Sequence, residues 1–509
     1  MEGSSRTRNS FLNALSAILL TLVNGLFGII VTKLVIDKFG SDFNGLNSTA
    51  NQIINVLLIL EGGFTLASNV ALFDSISKND YSTSNGVLRA TRSKFNKIAI
   101  IFLVVGFFVA GIYSFTVNTK LPWEFVFTVI MMAVIPQAFN LFYSTTYRVL
   151  LQTQQKEYII SAFTTLTIGL GHITNIILIS QDCKMWMVRF VTMCFAILNS
   201  VLITGYTKRK NIFIDFSEKP RSELIKGTND VMAQKITGVI YTSWPIVFLS
   251  ISSSAGTLLA SVYAVYNNVF VMIKALLHGV IDAPRLGFGQ MLTERKREDV
   301  WQSFKEYEYI AIFFTFIMMT VSCGLILPFI RLYTRGVNDI NYYDMRIAVL
   351  MVLIGTVEML HIPSGHIINM SGNFRVSKNF QVIACILLIT SMALLGSISG
   401  VYGMLISLLL VAILLAVLEI GYIHTKFFND KIGEFIFLSL PYIVFGIILS
   451  YMEMRYGERC ESIITFIILG AFFTIINSLM AVCLSFIFNR NEIKMLFYRC
   501  ATILRCFKH

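Results

Sequence analysis

The chain is 509 residues long; 55% of its residues are hydrophobic and only 14% are charged. This composition is typical of a protein that has lipid as its solvent, and it leaves no segment large enough for a soluble catalytic domain. The net charge of +12 would also suit a nucleic-acid-binding protein. Most lysines and arginines, however, fall in segments that would be cytoplasmic loops, where excess positive charge is expected. We therefore predict contact with the lipid bilayer and none with nucleic acid.

About fourteen apolar runs, each near the roughly 20 residues that cross a bilayer, predict an all-α polytopic membrane protein. Six of these helices lie near 11–36, 45–72, 96–117, 122–147, 157–180 and 185–206. Six more lie near 231–253, 257–283, 306–330, 345–370, 377–397 and 400–424. A last pair lies near 433–452 and 461–488.

The order of the helices predicts two lobes. Residues 1–206 would form the N-lobe and 231–424 the C-lobe, with a charged cytoplasmic connector at 207–230. Residues 425–509 would add the last helix pair and a basic cytoplasmic tail. A shift of 216 residues aligns Gly40 with Gly256, Asn51 with Asn267 and Gly63 with Gly279. This weak internal repeat favours two parallel six-helix lobes.

The basic loops predict that both termini are cytoplasmic. We interpret the first apolar run as a retained helix, because no small-residue cleavage site follows it. The eight cysteines are scattered singly and form no CxxC pair, so we expect neither structural disulfides nor bound zinc.

Polar side chains share one face in three of the predicted helices. Their members are Asn47, Asn51, Asn55 and Glu61 in the second helix, Gln234 and Tyr241 in the seventh, and Tyr263, Tyr266, Asn267 and Lys274 in the eighth. Such faces either line a cavity or only bind helices to one another, and the sequence leaves both possibilities open. Lys274 favours a cavity, because an ionisable group within a span needs water or a partner.

Two carboxylates, Glu61 and Glu358, lie deep within predicted spans and are candidates for ion coupling. Glu358 precedes the segment His361-Ile-Pro-Ser-Gly365, where proline and glycine predict a broken or kinked helix. A kink of this kind serves either transport or packing.

Motifs for catalysis are missing from the sequence. His361 and His366 do not have the i, i+4 spacing of an HExxH zinc site, and no GxxxxGK[ST] nucleotide loop is present. The predicted outer loops are short, which disfavours a glycan polymerase or ligase. We expect no enzyme activity, no catalytic residues, no metal and no cofactor.

Two segments resemble a known family. Phe39-Gly40-Ser41-Asp42-Phe43-Asn44-Gly45-Leu46-Asn47-Ser48, followed by Leu60-Glu61-Gly62-Gly63, is similar to the first helix-loop-helix of Wzx-type polysaccharide flippases. Ser261-Val262-Tyr263-Ala264-Val265-Tyr266 resembles the matching stretch of the second lobe. These exporters are related to the multidrug MATE proteins and to the lipid II flippase MurJ.

The resemblance implies a V-shaped core of twelve helices with a central cavity that opens to either side in turn. It also implies a bacterial inner-membrane location and, as cargo, an undecaprenyl-diphosphate-linked oligosaccharide such as an O-antigen, capsule or exopolysaccharide unit. Polysaccharide polymerase or chain-length proteins would be neighbouring partners. In MurJ-like relatives, the extra helix pair forms a groove for the lipid tail.

A diphosphate needs a polar path across about 30 Å of hydrocarbon. Lys274 could offset its charge, with Arg148 or Arg285 as helpers near the cytoplasmic entrance. Two departures qualify the resemblance: the arginines of MurJ-like proteins in the first two helices and the MATE acidic residue in helix one have no counterparts here. The alternatives are a cation-coupled MATE-like exporter of organic cations, using Glu61 and Glu358, and a membrane glycan polymerase or ligase.

Overall fold

A computed structural model describes residues 2–225, 229–282 and 284–495, and helices make up nearly all of this part of the chain. The basic tail at 496–509, residues 226–228 of the predicted connector and residue 283 of the eighth predicted helix lie outside the described residues. The helices before residue 261 are α1 Glu2–Leu57, α2 Phe64–Ser77, α3 Tyr81–Thr116, α4 Trp123–Phe139, α5 Thr145–Thr153, α6 Glu157–Ser180, α7 Met185–Lys210, α8 Asn229–Ser252 and α9 Gly256–Ile281, the last of which continues beyond that residue. They are followed by α10 Arg285–Glu294, α11 Arg297–Tyr333, α12 Met345–Met370, α13 Phe374–Ser391, α14 Ser397–Ser399, α15 Val401–Tyr422, α16 Gly433–Gly457 and α17 Ile463–Phe488.

Twelve helices of the described part are long and apolar enough to cross a membrane. One of these stretches, Leu15–Glu61, covers parts of two predicted helices, and α8 does not belong to the twelve. The predicted all-α multi-pass membrane fold is confirmed, whereas the count of fourteen is approximate. Polar residues such as Gln234, Lys235 and Thr237 lower the hydropathy of α8.

The chain divides into two compact units, unit 1 at residues 1–261 and unit 2 at residues 262–509. In unit 1, α1 packs against α6 and α8, and α3 packs against α4. In unit 2, α11 packs against α12, α16 and α17, and α12 packs against α15. The lobe boundaries predicted from the sequence stay a prediction.

The segment that begins the second predicted helix, around Gly40 and Asp42, makes close contacts with other parts of unit 1. Gly40 has φ 85°, a left-handed conformation that glycine adopts without strain, and it interrupts α1. Asp42 accepts hydrogen bonds from Thr119 Oγ1 and the Lys120 backbone N–H, both at 2.9 Å, and also from Thr257. These contacts fix the start of the polar helix in unit 1. Gly256, the predicted repeat partner of Gly40, also has a positive φ, 25°.

The structure differs from the sequence prediction inside two helices. The helix predicted at 45–72 ends in a short 3₁₀ turn, Leu58–Glu61, and breaks at Gly62 and Gly63, which both have positive φ. Around Pro363 the sequence predicted a broken or kinked helix; α12 is not broken there and continues as an α-helix through this proline. Pro363 has no backbone N–H to donate within the helix. The last turns of α12 tolerate this because packing against α11 and α15 holds the helix in place.

The last helix pair packs on α11 through both apolar and polar contacts. Tyr309, Phe316 and Tyr442 belong to the buried cluster between these helices. The hydroxyls of Tyr309 and Tyr442 both lie 2.7 Å from Ser485 Oγ. Buried tyrosine hydroxyls need such partners, so this contact fixes how α16 and α17 pack against α11.

Asp344 caps the N-terminus of α12, just before the span begins, and gives unit 2 an acid-sensitive contact. Its carboxylate accepts hydrogen bonds from the backbone N–H groups of Arg346 and Ile347 and from the Tyr402 hydroxyl. Partial burial raises the pKa of Asp344, but the bonds from Tyr402 and the two N–H groups, together with the Arg346 charge, outweigh it, so the net pKa is lowered.

A carboxyl with a lowered pKa stabilises the folded protein at neutral pH, and this stabilisation disappears as the pH falls through its folded pKa. We expect Asp344→Ala to lose about 1–2 kcal/mol at neutral pH. Asp344→Asn should keep most of the cap and lose stability less steeply on acidification. Thermal unfolding of the purified protein from neutral to acidic pH measures this, and equal acid sensitivity in Asp344→Asn and wild type would contradict it.

Candidate functional site

The polar stripe of unit 1 lies on α1, beyond the Gly40 break. Asn47, Asn51 and Asn55 follow one another at intervals of four residues, so they lie on one helix face about 6 Å apart. Asn51 and Asn55 are exposed in the described structure, and Asn47 is half-buried. These three asparagines therefore share one face of α1.

A cation that sequence reasoning missed anchors this stripe. Arg189 on α7 donates from one terminal nitrogen to Asn47 Oδ1 at 2.8 Å and from the other to Asn51 Oδ1 at 2.9 Å. Only 6% of Arg189 is exposed. Its Nε has no hydrogen-bond partner, and no described carboxylate forms an ion pair with it.

A buried guanidinium without a counter-ion is costly, since charges removed from water are normally paired. Two amide oxygens offset part of this cost but carry no net charge. The cluster of Arg189, Asn47 and Asn51, which we call the amide–arginine cluster, is therefore suited to an anion. Arginine is also the side chain whose donor geometry matches phosphate oxygens.

The stripe ends at a second cation. Lys235 Nζ on α8 lies 3.3 Å from Glu61 Oε2. Both residues line a cavity of about 180 Å³ together with Asn55 and Gly62. Two of the predicted residues, Asn55 and Glu61, thus meet in one cavity. Because Lys235 is 44% exposed at its side chain, this ion pair contributes little to stability.

The remaining candidates of unit 1 lie apart from this cavity's lining. Gln234 and Tyr241 on α8 are half-buried and each makes a contact within the protein. Arg148 on α5 donates from Nε to Ser144 Oγ at 3.2 Å. It follows a π-helical segment, Asn140–Ser144, of the kind often found at functional sites.

The ionisable residues predicted in unit 2 form a pair. Lys274 Nζ on α9 lies 2.9 Å from Glu358 Oε2 on α12, with side-chain exposures of 25% and 14%. On the same face of α9, Tyr263 is buried and Asn267 is half-buried. An ion pair in a span satisfies two charges that lipid would not accept.

Two other candidates occupy different surroundings. Tyr266 is fully buried, and its hydroxyl donates to the backbone carbonyl of Tyr342 at 2.9 Å, beside that of Asp344 at 3.3 Å. Arg285 begins α10 and is exposed. The hydroxyl of Tyr266 therefore ties α9 to the segment that precedes α12.

The transporter function predicted from the sequence implies that removing Lys274 impairs transport without preventing membrane insertion. Lys274→Ala leaves Glu358 without its lysine, which costs part of the roughly 3–5 kcal/mol measured for broken buried pairs. The double variant Lys274→Met/Glu358→Gln should recover this stability but not the transport. Thermal unfolding and export of surface glycan, compared at equal protein level, measure the two effects. Normal export in the single variant would remove Lys274 from the site.

Unit 2 also has an apolar groove between α11, α12 and α16. Its volume is about 360 Å³, and its lining includes Phe316, Met319, Val352, Leu360, Tyr442 and Gly446. An apolar groove on a membrane helix bundle can hold a hydrocarbon chain without burying polar groups.

Two buried acid–base contacts in unit 2 also escaped prediction. His361 Nδ1 lies 2.8 Å from Glu419 Oε2, and His424 Nε2 lies 3.1 Å from Glu308 Oε1. Residues 58 and 116 positions apart form these pairs, so a helical wheel cannot find them. The available signal was the rule that a carboxylate within a span needs a partner.

The sequence matches no family model, and no curated protein is significantly similar to it. Solved structures are similar in fold. The lipid II flippase MurJ in an inward closed conformation superposes with a TM-score of 0.66 at 12% identity, over 91% of this chain and 98% of MurJ. The chain has the fold shared by MurJ and MATE proteins.

Two MATE structures support this assignment. An inward-facing multidrug resistance MATE transporter of the MOP superfamily has a TM-score of 0.59 at 11% identity, over 87% of this chain and 96% of that one. A MATE protein in the bent conformation has a TM-score of 0.56 at 12% identity, over 88% and 97%. The predicted likeness to the fold of this superfamily is confirmed.

Proposed function

We propose that this protein is a flippase that moves an undecaprenyl-diphosphate-linked oligosaccharide from the cytoplasmic to the outer leaflet. It would work by alternating access, without covalent chemistry, as a Wzx-type protein of a bacterial inner membrane with both termini in the cytoplasm. The observation that carries this proposal is the amide–arginine cluster, a buried cation without a described counter-ion in a protein of the MurJ and MATE fold.

The chemistry of unit 1 suits such a cargo. Arg189 would take a phosphate oxygen or an acidic sugar, and Asn51 and Asn55 would bond sugar hydroxyls with little selectivity. Amide side chains both donate and accept hydrogen bonds, so they can donate to a sugar hydroxyl or accept from it. The Glu61–Lys235 pair closes the stripe at its other end.

The apolar groove of unit 2 would hold part of the prenyl chain. Burial of each CH₂ group contributes about 0.8 kcal/mol relative to water. Relative to lipid the gain is small, because lipid is equally apolar. The groove would therefore position the chain rather than supply affinity.

Organic cations are a less suitable cargo. Glu61 and Glu358, the carboxylates that would bind them, each form an ion pair with a lysine. A cation would have to displace that lysine. Polymerase or chain-length proteins, as partners that consume the flipped product, would fit a flippase better than an exporter of drugs.

The decisive experiment measures which leaflet holds the lipid-linked oligosaccharide, in membranes with and without this protein, using an impermeant sugar-modifying reagent. We expect the lipid to remain on the cytoplasmic side without the protein and to become accessible outside with it. Unchanged sidedness would refute the proposal. Outward accumulation of unpolymerised glycan in the deletion would then indicate a polymerase or ligase, and sensitivity to cationic drugs without a glycan defect would indicate an exporter.

A further inference from the structure

Helix α12 carries a row of titratable side chains, each in contact with a polar group from another segment of the chain. From the middle of α12 to its last turns these contacts are Glu358 with Lys274 at 2.9 Å, His361 with Glu419 at 2.8 Å, and His366 with Tyr307 at 2.7 Å and with Asp282 at 3.7 Å. All belong to unit 2. The function proposed above uses only the first contact.

The row of titratable side chains extends along the axis of α12. Glu358 is the fourteenth of the 26 residues of α12, and His366 lies eight residues further on. At 1.5 Å per residue the row covers about 12 Å, from the middle of the helix towards the end that would be cytoplasmic. Chains of Asp, Glu and His side chains within spans are the usual means by which membrane proteins carry protons.

His361 and Glu419 form the centre of the row. Their side chains are 13% and 6% exposed. Gly365, one turn after His361, leaves room for the carboxylate: a Cβ at this position would come within 2.7 Å of Glu419 Oε2. Four residues after Glu419 a π-helical segment, Ile423–Phe427, begins. The pair therefore joins α12 to α15 at a point where a side chain larger than glycine would not fit at residue 365.

Two carboxylates lie near His361 along the chain or in contact with it. Glu419 on α15 is 2.8 Å away, and Glu358 lies three residues earlier on α12. On α11 and the Ile423–Phe427 segment, Glu308 and His424 contact one another. Among the cations of α10 and α13, Arg285 and Arg375 are exposed, and Lys378 is half-buried.

Charge balance at the cluster depends on one proton. With Lys274 positive and both Glu358 and Glu419 negative, a neutral His361 leaves a net negative charge, whereas a protonated His361 leaves none. A net charge enclosed within a span is costly. The cluster therefore has a place for one exchangeable proton, and moving it breaks an N–H bond at His361 Nδ1 and forms an O–H bond at Glu419, or the reverse.

We infer that unit 2 is the proton-coupling element of this protein, with His361 and Glu419 as the pair that holds the proton and His366 with Asp282 as its connection to the end of α12. Release and uptake of this proton would couple a transmembrane proton gradient to transport. The coupling rests on the proposed flippase function, but the proton site itself does not.

The proton site is tested without substrate. The full chain, labelled at its six histidines with ¹⁵N, is titrated by NMR in lipid nanodiscs, and His361→Gln assigns the His361 signal. We expect this signal to titrate and Glu419→Gln to change its proton affinity about tenfold or more. His172→Gln, a half-buried histidine of unit 1, is the matched control and should leave it unchanged. A His361 signal that does not titrate, or that ignores Glu419→Gln, overturns the inference.

The coupling is tested in proteoliposomes that contain the undecaprenyl-linked oligosaccharide. An imposed pH gradient should increase translocation by wild type and by His172→Gln several-fold, and this increase should vanish in His361→Gln and Glu419→Gln. An equal increase in all four proteins, or stimulation by a sodium gradient instead, contradicts proton coupling through this pair. If wild type translocates nothing under any gradient, the flippase proposal fails, while the NMR titration still decides the proton site.

Discussion

Arg189→Ala is expected to lower the rate of lipid-linked oligosaccharide translocation by roughly 30-fold or more. Truncating one member of a buried, hydrogen-bonded charge contact costs about 2–5 kcal/mol, and each 1.36 kcal/mol corresponds to a factor of ten. The guanidinium lies on Asn47 and Asn51 without a described carboxylate, so its lost contact would be with the anionic part of the cargo. The impermeant-reagent assay in membranes measures the rate.

Two control variants and one binding measurement accompany this test. Arg209→Ala changes an exposed arginine of the same helix and should transport at the wild-type rate. Arg189→Lys keeps the charge and loses the two-pronged geometry, so an intermediate rate is expected. Native mass spectrometry with undecaprenyl diphosphate as probe should show weaker binding to Arg189→Ala. A folded Arg189→Ala protein that binds and transports normally would reduce the cluster to a contact between helices.

Gly45→Ala is expected to abolish the folded protein. A Cβ at Gly45 would lie 1.7 Å from the backbone carbonyl oxygen of Thr257, and the nearest atoms are all backbone. Neither α1, which carries Gly45, nor the start of α9, which carries Thr257, can move aside, because Asp42 on α1 also accepts hydrogen bonds from Thr119 and Thr257. Overpacking of ordinary core sites costs about 1–3 kcal/mol, and a clash with rigid backbone exceeds that.

Fluorescence-detected size-exclusion chromatography of detergent extracts measures the folded fraction. Gly28→Ala is the matched control, since it lies on the same helix and a Cβ there meets nothing within 4 Å. This control should give a wild-type peak, whereas Gly45→Ala should give aggregate only. A normal peak for Gly45→Ala would show that α1 and α9 do not approach so closely in the membrane.

The sequence predicted the helices well because the bilayer imposes a simple rule. Each span must satisfy its own backbone hydrogen bonds and present apolar side chains to lipid, so length and hydropathy are sufficient. The boundaries failed where backbone conformation mattered. The Gly62–Gly63 break and the uninterrupted helix at Pro363 depend on packing against neighbours, which no single segment encodes.

The candidate site was predicted in part. Helical periodicity identified Asn47, Asn51 and Asn55 as one face, because the period is a property of a single helix. It gave no role to Arg189, which lies near the start of α7, where a charged side chain usually reaches the head groups. The asparagines and the arginine are 138 and 142 residues apart in the chain.

The sequence alone determined that this is an all-α multi-pass membrane protein, that a polar stripe crosses one helix, and that Lys274 and Glu358 need partners within their spans. These conclusions follow from composition and local periodicity, which act within one helix. Only the tertiary structure decided that Lys274 and Glu358 satisfy each other, that Arg189 lies on the stripe, and that His361 faces Glu419. Partner choice depends on which helices pack side by side, and that is set by the summed burial and close approach of many residues distant in the chain.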